Sequence, residues 1–523
     1  MAGQNESSRL FGHKGAAFLA GNRGSAAAYN SLTEDGRVTR SLVVCQEVTS
    51  RVRAFAYSSQ VPEGKCGALN FSTLLPEVKI LFVIIQPAKR IRGSLVLPGD
   101  KSISHRAAIM SALAEGRSRL QNYSTSADCS ATLSCLQQLG VRIEPTGKDI
   151  LIDGSGAGGL RSPETALDCG NSGTTMRLLA GILAGQNFTS IMTGDESLRS
   201  RPMQRVVEPL NMMGAQVSSQ AGCAPLVIEG RRPLQAIEYE LLLASAQVKS
   251  CILLAGLYAD GRTEVIENEV TRDHTERMLR WFDVPIETGA AEREGANARF
   301  AAVQGPARFK ARDVLIPGDV SSAAYFIAAA ALLPGSYLEV RNVGVNPTRV
   351  MFLKQLRALG LDVTVTDSKE ESNEPIGTVR VRGLDAPRPS RDPEVPQMLA
   401  GLIIPQLIDE LPLLAVVGSQ IEGGIEIRDA RELRVKESDR IATTAMNLRA
   451  MGAEVEEFDD GLRVDGPTRL HGARIDPRGD HRIAMAFTVA GLFAKGETEI
   501  EDAGCVAVSF PEFFELLESV VER

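Results

Sequence analysis

No run of apolar residues in this sequence approaches the length a bilayer span requires, and mean hydropathy is close to zero, so no membrane-spanning segment is expected. There is no excess of positive charge either. Lys and Arg number 57 against 65 Asp and Glu, a net charge of -8, which argues against a surface built to coat nucleic acid. An acidic chain that binds anions must do so through a local basic cluster, so each grouped Arg or Lys carries information. The eight cysteines (Cys45, Cys66, Cys129, Cys135, Cys169, Cys223, Cys251, Cys505) form no Cys-x-x-Cys pair, and the five histidines form no His-Glu-x-x-His. A disulfide framework and a metal site are therefore not expected. A reducing, cytoplasmic setting fits.

The 523 residues exceed what one hydrophobic core usually serves, so two domains are the natural expectation. A unit recurs along the chain: a small or acidic opening residue, an apolar helix, a short strand, a second helix and further strands. Its openings at Gly99, Gly170, Ala244, Gly318, Asp409 and Asp480 are separated by 71, 74, 74, 91 and 71 residues. Only one interval holds an insertion, and its "TDSKEESNEP" and "DAPRPSRDPEVP" segments are polar and proline-bearing, as surface loops are. The first helix of each unit, as in "SGTTMRLLAGILAG" and "SSAAYFIAAAALLPG", is too apolar for a surface. We therefore expect an α/β protein turned inside out, with helices enclosed and sheets outside; an ordinary layered α/β protein is the competing arrangement. Buried helices that open together aim unpaired N–H groups and positive dipole ends at one region, a general way to gather anions.

Residues 1–85 lack the repeat and its periodicity, and no Met follows Met1 until Met110. They are expected to be an unstructured or misassigned leader, dispensable to a chain starting near Val83; a targeting segment or a real appendage is the alternative.

Chemistry concentrates at the unit openings. "LPGDKSISHRA" places Lys101, Ser102 and Arg106 where three donors can meet one phosphate or carboxylate. "LDCGNSGTTMR" offers Asn171, Gly173 and Thr174 in a loop whose backbone can approach a ligand. "SLRSRPMQR" adds Arg199, Arg201 and Arg205, and "SAQVKS" adds Ser245, Gln247 and Lys249. "LIDELP", "LRVKESDRI" and "GDHRIAM" bring Asp409, Glu410, Lys436, Glu437, Arg440, Asp480 and Arg482. Carboxylates among cations are what proton transfer beside bound anions needs. A solvated salt-bridge face explains "RVKESDR" as well.

Together "GDKSISHR", "RPM", "SAQVKS", "TRDHTE", "NPTR", "RVKESDR", "DHRIAM" and "SFPEF", in this order over about 86–520, resemble the 5-enolpyruvylshikimate 3-phosphate synthases, nearest the bacterial branch called class II. The resemblance implies the enolpyruvyl transferase fold: a two-domain inside-out α/β barrel of six βαβαββ repeats, three per domain. Domain I would comprise 86–99 plus 317–523, and domain II 100–316. It implies transfer of the enolpyruvyl group of phosphoenolpyruvate to the 5-hydroxyl of shikimate 3-phosphate through a tetrahedral adduct, by a monomer without a cofactor. Shikimate 3-phosphate would meet Lys101, Ser102, Arg106, Ser245, Ala246, Gln247, Arg272, Asp409 and Lys436. Phosphoenolpyruvate would meet Lys101, Asn171, Gly173, Arg201, Gln247, Arg440 and Arg482. Asp409, Lys101 and Glu437 would be catalytic, and the sequence does not divide the proton transfers among them. Glu432, Val508 and Leu178 depart from the other branch of the family. The sister transferase acting on UDP-N-acetylglucosamine has Asn after the Lys and a loop Cys, where this chain has Ser102 and Glu196. A repeat protein that only binds an anion is the reading from another class, and the intact Lys101, Asp409, Glu437 and Arg440 oppose it.

Overall fold

The structure, a computed structural model, describes residues 79–291, 298–385 and 397–523, and the backbone of four earlier strands, Ala17–Gly21, Gly24–Leu32, Val38–Thr49 and Val52–Ser58. Six apolar helices form the interior: α1 (Lys101–Leu113), α2 (Gly173–Ala184), α3 (Ala246–Gly256), α4 (Val320–Leu332), α5 (Leu411–Gly418) and α6 (His481–Phe493). Every residue of α1 from Ile103 to Leu113 is buried, and so are all eight residues of α5. Local chemistry sets where they begin. Asp100, Ser172, Ser245, Asp319 and Asp480 each cap a helix by accepting from a backbone N–H of its first turn. The fifth start differs: Pro412 supplies a preset φ in its first turn, and Asp409 precedes the helix by two residues instead of capping it.

Second helices, such as Gln204–Met212 and His274–Trp281, pack beside these and against the sheets, which the interior helices also touch directly. Buried apolar side chains fall into two clusters. One runs from Ile103 to Ile316; the other joins Val83–Leu97 to Val320–Val520. Six sheets result, and in the complete units two parallel strands are followed by an antiparallel hairpin, as in the sheet that Leu167–Asp168, Thr189–Thr193, Gln216–Gln220 and Cys223–Glu229 build. Two sheets take their first strand from elsewhere in the chain. Val314–Leu315 lies parallel to Leu120–Gln121, and Arg90–Val96 lies parallel to Tyr337–Gly344. Where the chain passes between the clusters, the two crossings touch: Gly99 bridges Gly318, and Asp100 N–H donates to the Pro317 carbonyl at 2.7 Å.

Two expectations need correction. The "TDSKEESNEP" segment is not a loop: Asp362–Glu371 and Glu374–Arg382 pair as a hairpin, turned by Ser372 and Asn373 at φ 49 and 64. Its polar composition reflects exposure of the strand ends. The "DAPRPSRDPEVP" segment lies almost wholly outside the described residues. The leader boundary at 85 is also wrong, because Lys79–Ile85 pairs antiparallel with Thr498–Glu501 and supplies the strand that the last unit's sheet lacks. Val83 and Ile85 are 2% and 1% exposed in the core. Complete burial of such side chains contributes about 1.5–3 kcal/mol each. A chain beginning at Lys79 should therefore be more stable than one beginning at Gln86 by roughly 3–6 kcal/mol in denaturant unfolding; equal midpoints and slopes would show the strand to be passive.

Candidate active site

The helix openings and the segments before them converge on one cleft. Lys101 opens α1, and its Nζ lies 2.7 Å from Asp128 Oδ2. Burial pulls the ammonium's pKa down, but Asp128 and Glu437 together leave the value above that of an ordinary lysine. One turn on, Arg106 is buried, with Nε 2.7 Å from Thr275 Oγ1 and Nη2 2.7 Å from Ser250 Oγ, while Nη1 donates to the Ser102 carbonyl at 2.9 Å. Burial lowers its pKa to about 10, which still leaves it cationic at neutral pH.

Around α2, Ser172 caps the helix, so Asn171 and Gly173 stand at its mouth. Asn171 Oδ1 accepts from Arg201 Nη2 at 2.7 Å. A Cβ on Gly173 would lie 2.9 Å from Arg177 Nη1 and 3.6 Å from Arg201 Nη1. At α3, capped by Ser245 with Ala246 as its first residue, Gln247 Oε1 accepts from Arg177 Nη1 at 2.6 Å and its Nε2 donates to Thr174 Oγ1 at 2.9 Å.

The facing wall is mostly charge. Asp409 Oδ2 lies 2.7 Å from Arg272 Nη2 and 3.5 Å from Arg482 Nη2, and Oδ1 lies 3.6 Å from Arg440 Nη1. Burial raises its pKa, yet the three guanidiniums overcome this and hold the carboxyl well below its usual range. Glu437 sits likewise between Arg440 Nη2 at 2.5 Å and Arg201 Nη1 at 3.2 Å and is held well below its usual range. Arg440 itself is 1% exposed and anchored on Asp480 at 2.8 Å. Lys436 is 3.5 Å from Glu432, and burial lowers its pKa. Two of these ion pairs, Arg272–Asp409 and Arg201–Glu437, join residues from opposite core clusters, as does Arg205–Glu432 at 3.1 Å.

Lys101, Asn171, Gly173, Arg201, Gln247, Arg272, Asp409, Lys436, Glu437, Arg440 and Arg482 are thus linked by contacts or charge across one cleft. Of the other cations singled out in the sequence, Lys249 is turned into the core between Glu276 at 2.6 Å and Glu267 at 3.1 Å, and Arg199 is exposed. Sequence reasoning missed Asp128, Arg177 and His481. Asp128 lies on a helix whose surroundings carry no other charge signal. Arg177 closes the "GTTMR" string and could have been suspected from its place one turn into α2. His481 is 2% exposed, with neither ring nitrogen hydrogen-bonded. Burial, then Lys101, keep it well below the usual histidine value and so neutral.

The family profile described as EPSP synthase (3-phosphoshikimate 1-carboxyvinyltransferase) matches residues 85–517. A 3-phosphoshikimate 1-carboxyvinyltransferase of Koribacter versatilis is 49% identical over 443 residues, spanning 84% of this chain and 99% of the relative. Among solved structures, the EPSP synthase of Acinetobacter baumannii superposes with a TM-score of 0.72 at 39% identity, over 84% of this chain and 98% of that one. The enolpyruvyl transferase NikO of Streptomyces tendae shares the fold at a TM-score of 0.65 and 19% identity, over 84% of this chain and 97% of its own.

Glu437 has a folded pKa below its unfolded value, so the stability it confers is complete above about pH 4.3 and is lost as pH falls through the lowered value. The stability gap between the unaltered protein and Glu437→Gln should be about 1–3 kcal/mol and flat near neutrality, closing only below about pH 4. A gap that shrinks between neutrality and mild acid would contradict an ionised Glu437.

Proposed function

Because the chain belongs to the EPSP synthase family, we propose that its transfer reaction is run by Asp409, Lys101 and Glu437 among the guanidiniums described above. The reaction moves the enolpyruvyl group of phosphoenolpyruvate to the 5-hydroxyl of shikimate 3-phosphate and releases phosphate, by addition and then elimination from a tetrahedral adduct. Shikimate 3-phosphate is held by Lys101, Ser102, Arg106, Ser245, Ala246, Gln247, Arg272 and Lys436, with Asp409 on its 5-hydroxyl. Phosphoenolpyruvate is held by Lys101, Asn171, the Gly173 backbone, Gln247, Arg201, Arg440 and Arg482.

The observation that carries this reading is the ionised Asp409 in reach of Arg272, Arg440 and Arg482. A substrate anion that takes over these guanidiniums withdraws what depresses the Asp409 pKa. The carboxylate then becomes more basic as the hydroxyl arrives, which suits a general base. Lys101 and Glu437 handle the protons delivered to the methylene carbon and to the leaving phosphate. Arg201, Arg440 and Arg482 spread the donor's charge without needing to move.

No single helix among the described residues is long and apolar enough to cross a membrane. The one bent pair of helices that passes by length and composition ends in α5, which is wholly buried. We further read the protein as a cytoplasmic monomer. The six described cysteines, all unpaired, support a reducing compartment.

Gly173→Ala should raise the inhibition constant of glyphosate, a phosphoenolpyruvate competitor in this family, more than the phosphoenolpyruvate KM. The new methyl displaces the flexible end of Arg177, and the longer mimic has less room to adapt; overpacking of this kind costs roughly 1–3 kcal/mol. Equal changes in both constants would count against this placement of the donor.

Asp409→Asn keeps the size of the side chain and cannot accept a proton, so kcat should fall by about 10²–10⁴ with much smaller changes in substrate binding. Lys101→Met should impair donor binding and turnover together. Folded Asp409→Asn that retains more than about a tenth of kcat would move the base to Glu437 or a water.

A further inference from the structure

Two of the shared strings, "TRDHTE" and "NPTR", contribute nothing to the cleft through their histidine and last arginine. Both residues instead meet at the crossing between the core clusters. Arg349 is 5% exposed and reaches in three directions. Its Nη1 lies 3.2 Å from Asp100 Oδ2 and 3.2 Å from His274 Nε2, and its Nη2 donates to Ser321 Oγ at 2.7 Å and lies 3.6 Å from Asp319 Oδ1.

Each contact leads to a helix opening. Asp100 caps α1 through Ile103 N–H at 2.9 Å, one residue before Lys101. Asp319 caps α4 and also accepts from the Lys101 backbone N–H at 3.3 Å. The Ser321 hydroxyl donates onward to Glu410, the neighbour of Asp409, and Glu410 lies 3.8 Å from Arg482. A guanidinium only donates, so His274 Nε2 must accept and its Nδ1–H must donate to Glu374 Oε1, at 2.6 Å. That fixes the neutral tautomer of His274. Asn346 ties the same Glu374 and Asp273 to the "NPTR" turn at 3.0 and 2.7 Å.

We propose that Arg349 is a positioning residue for the transfer, holding the Lys101 end of α1 in register with the Asp409 end of α5 through Asp100 on one side and Ser321 and Glu410 on the other. The two ends come from different core clusters, and backbone contact between the clusters at this point is confined to the Gly99–Gly318 crossing and its neighbours. Burial and then the neighbouring Asp100 push the Asp319 carboxyl up, and the guanidinium, 3.2 Å from Asp100 and 3.6 Å from Asp319, offsets the repulsion between the two caps. A single ammonium cannot meet Asp100, His274 and Ser321 in this planar fork, so lysine preserves the charge and loses the register.

The inference rests on the roles proposed for Lys101 and Asp409, so Lys101→Met and Asp409→Asn are assayed beside it. Folded Arg349→Lys should lose about 100-fold in kcat, the size expected when reacting groups are misplaced by an ångström, with a much smaller rise in KM for phosphoenolpyruvate, which Lys101 also holds. Ser321→Ala, which removes the hydroxyl between Arg349 and Glu410 and leaves the Asp100 side in place, should lose about tenfold in kcat, the scale of one hydrogen bond. Wild-type kcat in folded Arg349→Lys and Ser321→Ala, or a loss confined to melting temperature or KM, overturns the inference. If Lys101→Met and Asp409→Asn themselves keep full turnover, the underlying assignment fails first, and the two failures are told apart in one experiment.

Discussion

Arg440 carries a permanent charge at 1% exposure, and the cleft is organised around answering that charge. An isolated guanidinium in such a place would be prohibitively unstable, so Asp480, Glu437 and Asp409 surround it. Those carboxylates bring further cations near: Arg201 to Glu437, and Arg272 and Arg482 to Asp409. The result is an alternating lattice of fixed charges, preorganised before any substrate arrives. Under the roles proposed above, incoming anions would take the places of these carboxylates on the guanidiniums. Helix openings add a second, weaker field that is positive toward the cleft.

The interior helices were legible because their composition admits no other place, and the unit spacing betrayed the repeat. The charged cluster of the candidate site was legible because its members stand next to helix openings, where short strings such as "GDKS" and "RVKESDR" put several polar groups within a few residues. Asp128 and Arg349 escaped detection because their partners lie far along the chain. Asp128 is 27 residues from the lysine it pairs with, and Arg349 meets Asp100 across 249. Nothing local marks such a partner. The strand Lys79–Ile85 was misjudged for a related reason: a seven-residue run with no neighbouring copy of the unit looks like a leader, and its partner strand begins at Thr498. The tip of the hairpin over Asp362–Arg382 was obscured by surface polarity, since residues 366–375 carry no apolar alternation.

The borrowed strands have a consequence for how the molecule comes into being. The cluster from Ile103 to Ile316 is continuous in sequence, so everything it needs has left the ribosome once that stretch is made. The other cluster is closed by its extremes: Gln86 bonds Glu497, 411 residues away, and Ile91 pairs with Val521 near the final residue. At translation speeds of 5–20 residues per second, the early strand waits roughly 20–80 s for its partner. Throughout that wait the side of Lys79–Ile85 that Thr498–Glu501 will cover stays open, while the finished middle of the protein hangs beside it. Synthesis thus favours an order, the cluster from Ile103 to Ile316 first and the cluster that spans both ends of the chain last.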